Sequence, residues 1–322
     1  MRAPVLPVWA AVLVLGAGAL AGCGDDRQDL DPVAGRYEAG ASGDTVTVEL
    51  PVGAVVLTIG DGADSVADDR AADGTQHDAT GDHRYVPVSA RLEDSAEEGV
   101  SDLVGGAALV ADLRVELGSR SVALPTPYAV DEGRVRRAPT TTWVPMTSDE
   151  RDELTVTVSY DGLEQRIDAD GQREPSAADA YYDGRAGRGD GEDCGRGWET
   201  RAGSTVEVRC RTAPTFSPYL PGLGWAAQGR TFVAVDIRIN VVDVRVGGRV
   251  PPFSRLHLDT TLDDGEAVLP DPSIGAAPTP DTAATLVTTR YFDLPVDESA
   301  VMVLDADLWG VDARRSVSIA RD

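Results

Sequence analysis

Arg230-Thr231-Phe232-Val233-Ala234-Val235-Asp236-Ile237-Arg238-Ile239-Asn240 carries apolar side chains at 233, 235, 237 and 239. Successive side chains of a strand point to opposite faces, so this period of two marks a strand with one face turned to a core. The same spacing occurs 147 positions earlier, at Val86, Val88, Ala90 and Leu92. A strand that returns at a fixed displacement implies that the two halves of the chain share one plan.

The neighbours of both strands extend the correspondence. Trp143-Val144-Pro145 follows the first, and Tyr291-Phe292-Asp293-Leu294-Pro295 stands in the matching place after the second. Leu113, Val115 and Leu117 form a further alternating strand of the first half, and Leu256 and Leu258 follow as the next strand of the second. Val122-Ala123-Leu124-Pro125 is echoed by Ala267-Val268-Leu269-Pro270, and Val317 and Ile319 close the chain as Ile167 closes the first half. Thr45-Val46-Thr47-Val48-Glu49-Leu50 and the alternating Leu154, Val156, Val158 and Tyr160 complete the first set, while Val301 and Val303 open the penultimate strand of the second.

No stretch of comparable length sustains an apolar period of 3.6. Many short strands separated by turn residues predict an all-β chain of sandwiches. A displacement that drifts only slightly, with its gaps at loops, is what a divergent tandem duplication produces. The expected sandwiches span 44–171 and 194–322, each somewhat longer than the roughly 100 residues of an immunoglobulin domain. Between them Gln172 to Asp193 includes Gly184-Arg185-Ala186-Gly187-Arg188-Gly189-Asp190-Gly191, too rich in glycine for a packed strand, and reads as an interdomain linker.

The chain has 322 residues and a formal net charge of −25. It has no basic stripe, which argues against nucleic acid as a partner. Lysine is absent and every cationic side chain except histidine is arginine, a usage that fits a GC-rich genome such as those of actinobacteria. At the N-terminus, Arg2 precedes an apolar run from Val5 to Leu20. That run, interrupted by Pro7, is shorter than the roughly 20 residues a spanning helix needs, and it has the layout of a secretory signal over residues 1–22.

Leu20-Ala21-Gly22-Cys23 resembles the lipobox of bacterial lipoproteins. The resemblance implies that Cys23 takes a diacylglyceryl group and becomes the mature N-terminus. Two acyl chains hold a protein stably where one holds it only marginally, so the expected location is the outer face of the cytoplasmic membrane, in the cell envelope. Residues 23–43 are acidic and aperiodic and read as a flexible tether spanning roughly 25 Å. An exported chain meets oxidising conditions, so Cys194 and Cys210 are expected to form a disulfide. It would close a loop of about 17 residues and stabilise by about 3 kcal/mol on the chain-entropy account.

The strand 230–240, a following strand pair, and then Tyr291-Phe292-Asp293-Leu294-Pro295 resemble the immunoglobulin-like domains of exported Gram-positive lipoproteins, a group sharing its fold with a small secreted mycobacterial antigen. The first half departs from that pattern, with Glu93 in place of the Asn and Val144 where the Asp-Leu pair would be. The resemblance implies fold and location but no activity.

No G-x-S-x-G, H-E-x-x-H or Walker loop occurs, and the three histidines are His77, His83 and His257. The chain is therefore expected to be non-catalytic and to need no cofactor. His77, Asp78, Asp82 and His83 lie close together in an acidic segment and form a weak alternative metal site, since imidazole and carboxylate suit zinc or copper. Phe216, Tyr219, Leu220, Leu223 and Trp225 crowd a Pro/Gly-rich stretch before the Val233 strand. Aromatics on a stiff loop are good anchors, so these five are the expected contact for an extracytoplasmic protein partner. The expected role is binding, display or scaffolding at the envelope, with metal delivery through the His77–His83 segment and a purely structural spacer as alternatives.

Overall fold

The computed structural model describes residues 30–36, 42–94, 103, 111–131, 134–252, 256–262, 269, 284–296 and 298–321. The signal segment, Cys23 and the start of the tether lie outside the described residues. Among the described residues the fold is all-β apart from the short helices Ser148–Asp152 and Asp179–Tyr182 and a helical residue at Leu103. No helix among the described residues is long and apolar enough to cross a membrane.

In the first half, a five-stranded sheet runs in the spatial order Val33–Gly35, Thr140–Met146, Arg84–Glu93, Gly53–Gly60, Gly43–Leu50. Its partner sheet runs Leu163–Asp168, Leu154–Tyr160, Ala111–Leu117, Arg120–Leu124. Val48, Leu57 and Val88 from the one and Val115, Val156 and Ile167 from the other share a single apolar cluster. In the second half the sheets run Gly187–Arg188, Ser204–Ser217, Arg230–Val246, Thr285–Pro295 and Glu199–Thr200, Asp312–Ile319, Ala300–Asp307, His257–Leu262. They enclose a second cluster that includes Ile237, Phe292, Met302 and Val317. Each fully buried side chain of this kind contributes roughly 1.5–3 kcal/mol.

The repeat read from the sequence reappears as pairing. Thr140–Met146, Arg84–Glu93 and Gly53–Gly60 are adjacent in that order, as are Thr285–Pro295, Arg230–Val246 and Ser204–Ser217. The opposite sheets agree likewise, with Leu163–Asp168, Leu154–Tyr160 and Ala111–Leu117 matching Asp312–Ile319, Ala300–Asp307 and His257–Leu262. Val86 pairs with Val144, and its counterpart Val233 pairs with Phe292. The echo at 122–125 and 267–270 parts from this plan. Leu124 pairs with Leu113, whereas Leu269 bridges Tyr291 in the other sheet, and the rest of 267–270 lies outside the described residues.

Two boundaries shift. Val33–Gly35 falls within the expected tether, yet it pairs with Thr141–Trp143. It covers an otherwise open strand edge, and Val33 is buried beside Trp143. A Cβ at Gly35 would lie 2.9 Å from the Trp143 indole nitrogen, so only glycine permits the approach.

The segment 172–193 is packed rather than open. Ala178, Tyr181 and Ala186 join the first core, Gly187–Arg188 pairs with Thr215 and Phe216, and Asp193 bridges Arg211. Its apolar side chains are few, but the Tyr181-Tyr182 pair offers enough buried area to hold it. The disulfide Cys194–Cys210 closes the strap onto the strand Ser204–Ser217, with Cα atoms 4.8 Å apart, and Glu192 ties it to the last strand through Arg315 at 2.9 Å and the Ser318 amide at 2.8 Å.

Candidate functional site

The five residues expected to meet a partner begin where the strand Ser204–Ser217 ends. Ser217 Oγ donates to the Tyr219 carbonyl at 2.6 Å and accepts from the Tyr219 amide. That bends the chain at Pro218. Tyr219–Leu220 then pairs with Gly224–Trp225, and the loop closes through the Ala226 amide to the Pro218 carbonyl at 2.8 Å. Gly222 and Gly224 have φ of 82° and 80°, the left-handed region that glycine enters without steric cost.

The loop has two sides. Leu220 is fully buried with Phe232, Ala234 and Tyr291 of the second half. Tyr219 and Trp225 face the first half and pack on its core. The Tyr219 and Trp225 rings meet edge to face at 5.3 Å, and each meets the Tyr160 ring, at 5.4 and 6.0 Å. Tyr181 adds a further edge contact to Trp225 at 6.2 Å. Offset and edge-on aromatic pairs each contribute about 0.5–1.5 kcal/mol beyond area burial.

Polar groups fix the register. The Trp225 indole N–H donates to the Tyr160 carbonyl at 2.8 Å, and the Tyr219 hydroxyl donates to Asp161 Oδ2 at 2.9 Å. Asp161 and Gly162 form the two-residue turn between Leu154–Tyr160 and Leu163–Asp168, with φ of 45° and 81°. This is the turn that Asp-Gly favours in a hairpin, and it sets the carboxylate at the lip of the loop. Burial, reinforced by the neighbouring Asp161 carboxylate, pushes the Tyr219 phenol up to about 12. Burial also raises the Tyr160 phenol, with Tyr219 beside it adding to the effect. Tyr219 therefore stays protonated at neutral pH and remains the donor to Asp161.

Between turn and loop lies a groove of about 740 Å³, lined by Asp161, Leu163, Pro221, Leu223, Trp225 and intervening glycines. Leu163, Leu223 and Trp225 are half-buried, and Asp161 is exposed. The groove is open and its accessible lining is more polar than apolar, with the Asp161 carboxylate at its rim, Leu163, Leu223 and Trp225 as its apolar side chains, and walls fixed from both halves. It offers a partner the half-buried Leu163, Leu223 and Trp225 side chains beside an exposed carboxylate.

The five expected contact residues divide accordingly. Phe216 is buried in the second core, and Tyr219 and Leu220 are buried in contacts within the chain. Leu223 and Trp225 line the groove, and the little of Tyr219 that is not buried borders it too. The residues that the sequence reading missed are Asp161 and Leu163, and their one local signal is the Asp161-Gly162 turn between two alternating strands.

The alternative metal segment is arranged differently. His77 pairs with Asp73 at 3.0 Å, and His83 with Asp82 at 3.4 Å. His77 and Asp78 form a two-residue strand against Ser65–Val66. Among the described residues no group of three or more His, Cys, Asp or Glu side chains converges on one point. Compared with known proteins, the chain matches no described family, no curated protein and no solved structure.

Proposed function

We propose that this chain is a non-catalytic lipoprotein of two tandem immunoglobulin-like sandwiches, held by Cys23 at the outer face of the cytoplasmic membrane, and that it binds an extracytoplasmic protein through the junctional groove. The observation that carries the reading is the groove itself, with Leu163 and Asp161 from the first half opposing Leu223 and Trp225 from the second. A binding surface built on fixed walls loses little freedom on association, which favours recognition by shape. The shared strand order of the two halves supports the duplication, and Leu20-Ala21-Gly22-Cys23 supports the anchor.

The test is site-directed cross-linking on intact cells. Lysine is absent, so amine-directed reagents find no side chain to couple, and a photo-activatable residue at 223 is the suitable probe. It should capture one discrete partner. The same probe in a chain that also carries Pro221→Glu, a change on the groove wall, should capture far less, while losing the proline costs about 1 kcal/mol or less of stability. Absence of a discrete adduct at 223, or undiminished capture in the Pro221→Glu chain, refutes groove binding.

A further inference from the structure

The two halves share a strand order but differ at one rim. In the first, Ala111–Leu117 is covered on its outer side by Arg120–Leu124, which sets Val122 opposite Val115 and Leu124 opposite Leu113. Its counterpart in the second, His257–Leu262, pairs with Ala300–Asp307 and is the last strand of its sheet among the described residues. The one further bond to its backbone among those residues is a long one, from the Arg290 guanidinium to the Leu258 carbonyl at 3.4 Å. An uncovered edge is a row of unpaired amides and carbonyls that another extended chain can join. Proline or a bulge commonly blunts such an edge, whereas His257–Leu262 has six residues, no proline and an unbroken register. On its inner face Thr260 is 6% exposed, and its hydroxyl has no hydrogen-bond partner. A buried hydroxyl left unpaired is costly, and a Ser or Thr directly across from it on an arriving strand would satisfy it.

The outer face of the same strand indicates what kind of chain would join it. His257, Asp259 and Thr261 face outward, and Asp259 lies directly across from Asp305. Asp307, on that face too, lies directly across from Asp312. Like charges set opposite each other in a sheet oppose folding, and the chain offsets only part of this. Arg314 reaches Asp305 at 3.8 Å and His257 reaches Asp259 at 3.3 Å, while Asp307, Asp312 and Glu199 have no ion pair among the described residues. These groups share an open concavity whose lining holds five carboxylates against two guanidiniums and one imidazole. Side chains alternate along a strand, so an added chain with a basic residue at every second position would lay all of them on this face. A second copy of the chain fits poorly by the same reasoning, because antiparallel self-pairing would bring two such acidic faces together in one sheet.

We infer that His257–Leu262 is a docking edge for an extended basic segment of another protein, which adds to the sheet as a further strand. Its arginines or lysines lie over Asp259 and Asp305, and a hydroxyl side chain sits beside Thr260. Backbone pairing supplies the hold, and the acidic face supplies the choice of partner. The edge shares no lining residue with the junctional groove, so the two surfaces stand or fall separately.

The test uses the full chain and, as the probe, a synthetic peptide of alternating arginine and threonine. Hydrogen exchange read by mass spectrometry should slow across residues 257–262 when this peptide is added, and should not change with a peptide of alternating glutamate and threonine. Two further versions of the arginine peptide carry N-methyl groups on the arginine amides or on the threonine amides. Amides of alternate residues face the edge, so one version should bind nearly as well as the parent and the other far more weakly. Asp259→Asn should weaken binding about two- to fivefold, as for an exposed ion pair, with the melting temperature nearly unchanged. Equal binding of both methylated peptides would mean charge attraction without strand addition and overturns the inference. So does an arginine peptide that leaves exchange at 257–262 unaltered. Slow exchange at every one of these amides in the free chain overturns it as well: the occupant is then a second copy if the protection varies with protein concentration, and part of the same chain if it does not.

Discussion

At position 309 a tryptophan occupies the first place of a two-residue turn, with φ of 56°, followed by Gly310 at 79°. The flanking Leu308 and Val311 exchange backbone hydrogen bonds. An L-residue in this region costs about 1–2 kcal/mol, and Asn, Asp or Gly normally take the place. Trp309 is 5% exposed within the second core, so burial offsets the backbone strain. Trp309→Ala is expected to cost about 3–5 kcal/mol, because it removes the burial and keeps the strain. Trp309→Gly should then be more stable than Trp309→Ala by about 1 kcal/mol, the reverse of the usual order of these residues. Urea denaturation of the two variants decides it. The two turns that carry a positive φ outside glycine among the described residues were open to a sequence reader only in part. Asp161-Gly162 is a recognisable turn pair, whereas Trp309-Gly310 is not, since nothing local announces that a core will hold a tryptophan in that conformation.

Among elements, the packed segment 172–193 has most to add. Its Tyr182 hydroxyl accepts from the Glu49 amide at 2.9 Å and donates to Gln165 at 2.7 Å, while the Gln165 side-chain amide donates to the Glu49 carbonyl at 2.8 Å. Together these close part of the outer edge of Gly43–Leu50, the last strand of its sheet. Arg173 lies 3.4 Å over the Tyr182 ring. Burial raises the Tyr182 phenol to about 12, with the Glu49 amide and Arg173 opposing the shift. An unfolded tyrosine titrates near about 10. The folded state therefore binds these protons more tightly, and the stability linked to Tyr182 and Tyr219 is complete below about pH 10 and falls as pH rises through about 12. Tyr182→Phe should flatten that alkaline decline in a denaturation series and cost about 1–3 kcal/mol at neutral pH, because it leaves the Glu49 amide unpaired. Glycines at 184, 187, 189 and 191 made this stretch read as a linker. Gly53–Gly60 escaped for the opposite reason, since it is buried on both faces and shows no alternation for a period-of-two reading to find.

For the molecule as a whole, Asp31–Asp322 is one compact unit, and the Tyr160, Tyr181, Tyr219 and Trp225 rings join its two sandwiches. The native chain should unfold in a single calorimetric transition. Tyr219→Ala with Trp225→Ala removes the ring contacts and both polar ties, and should split that transition into two. A single transition in the double variant would show that coupling runs elsewhere. The strand order was legible at this scale because alternation at Val86 and Val233 survives divergence. The docking of the halves was not, since an aromatic cluster reads the same whether it faces a partner or the other half of its own chain. The groove depends on both halves and so stayed hidden for the same reason.

The strand Arg230–Val246 runs 17 residues from the junction to the far tip, paired with Ser204–Ser217 along its length except at a bulge at Val242 and with Thr285–Pro295 from Arg230 to Asn240. A pull applied between those two ends acts along the strand, while its hydrogen bonds lie across it. The ladder is then loaded in shear, and many rungs must fail together instead of opening one at a time. Resistance to such a load is a matter of rate, separate from equilibrium stability. A chain fixed at one end to an envelope that swells and turns over would gain endurance from this geometry without any deeper core.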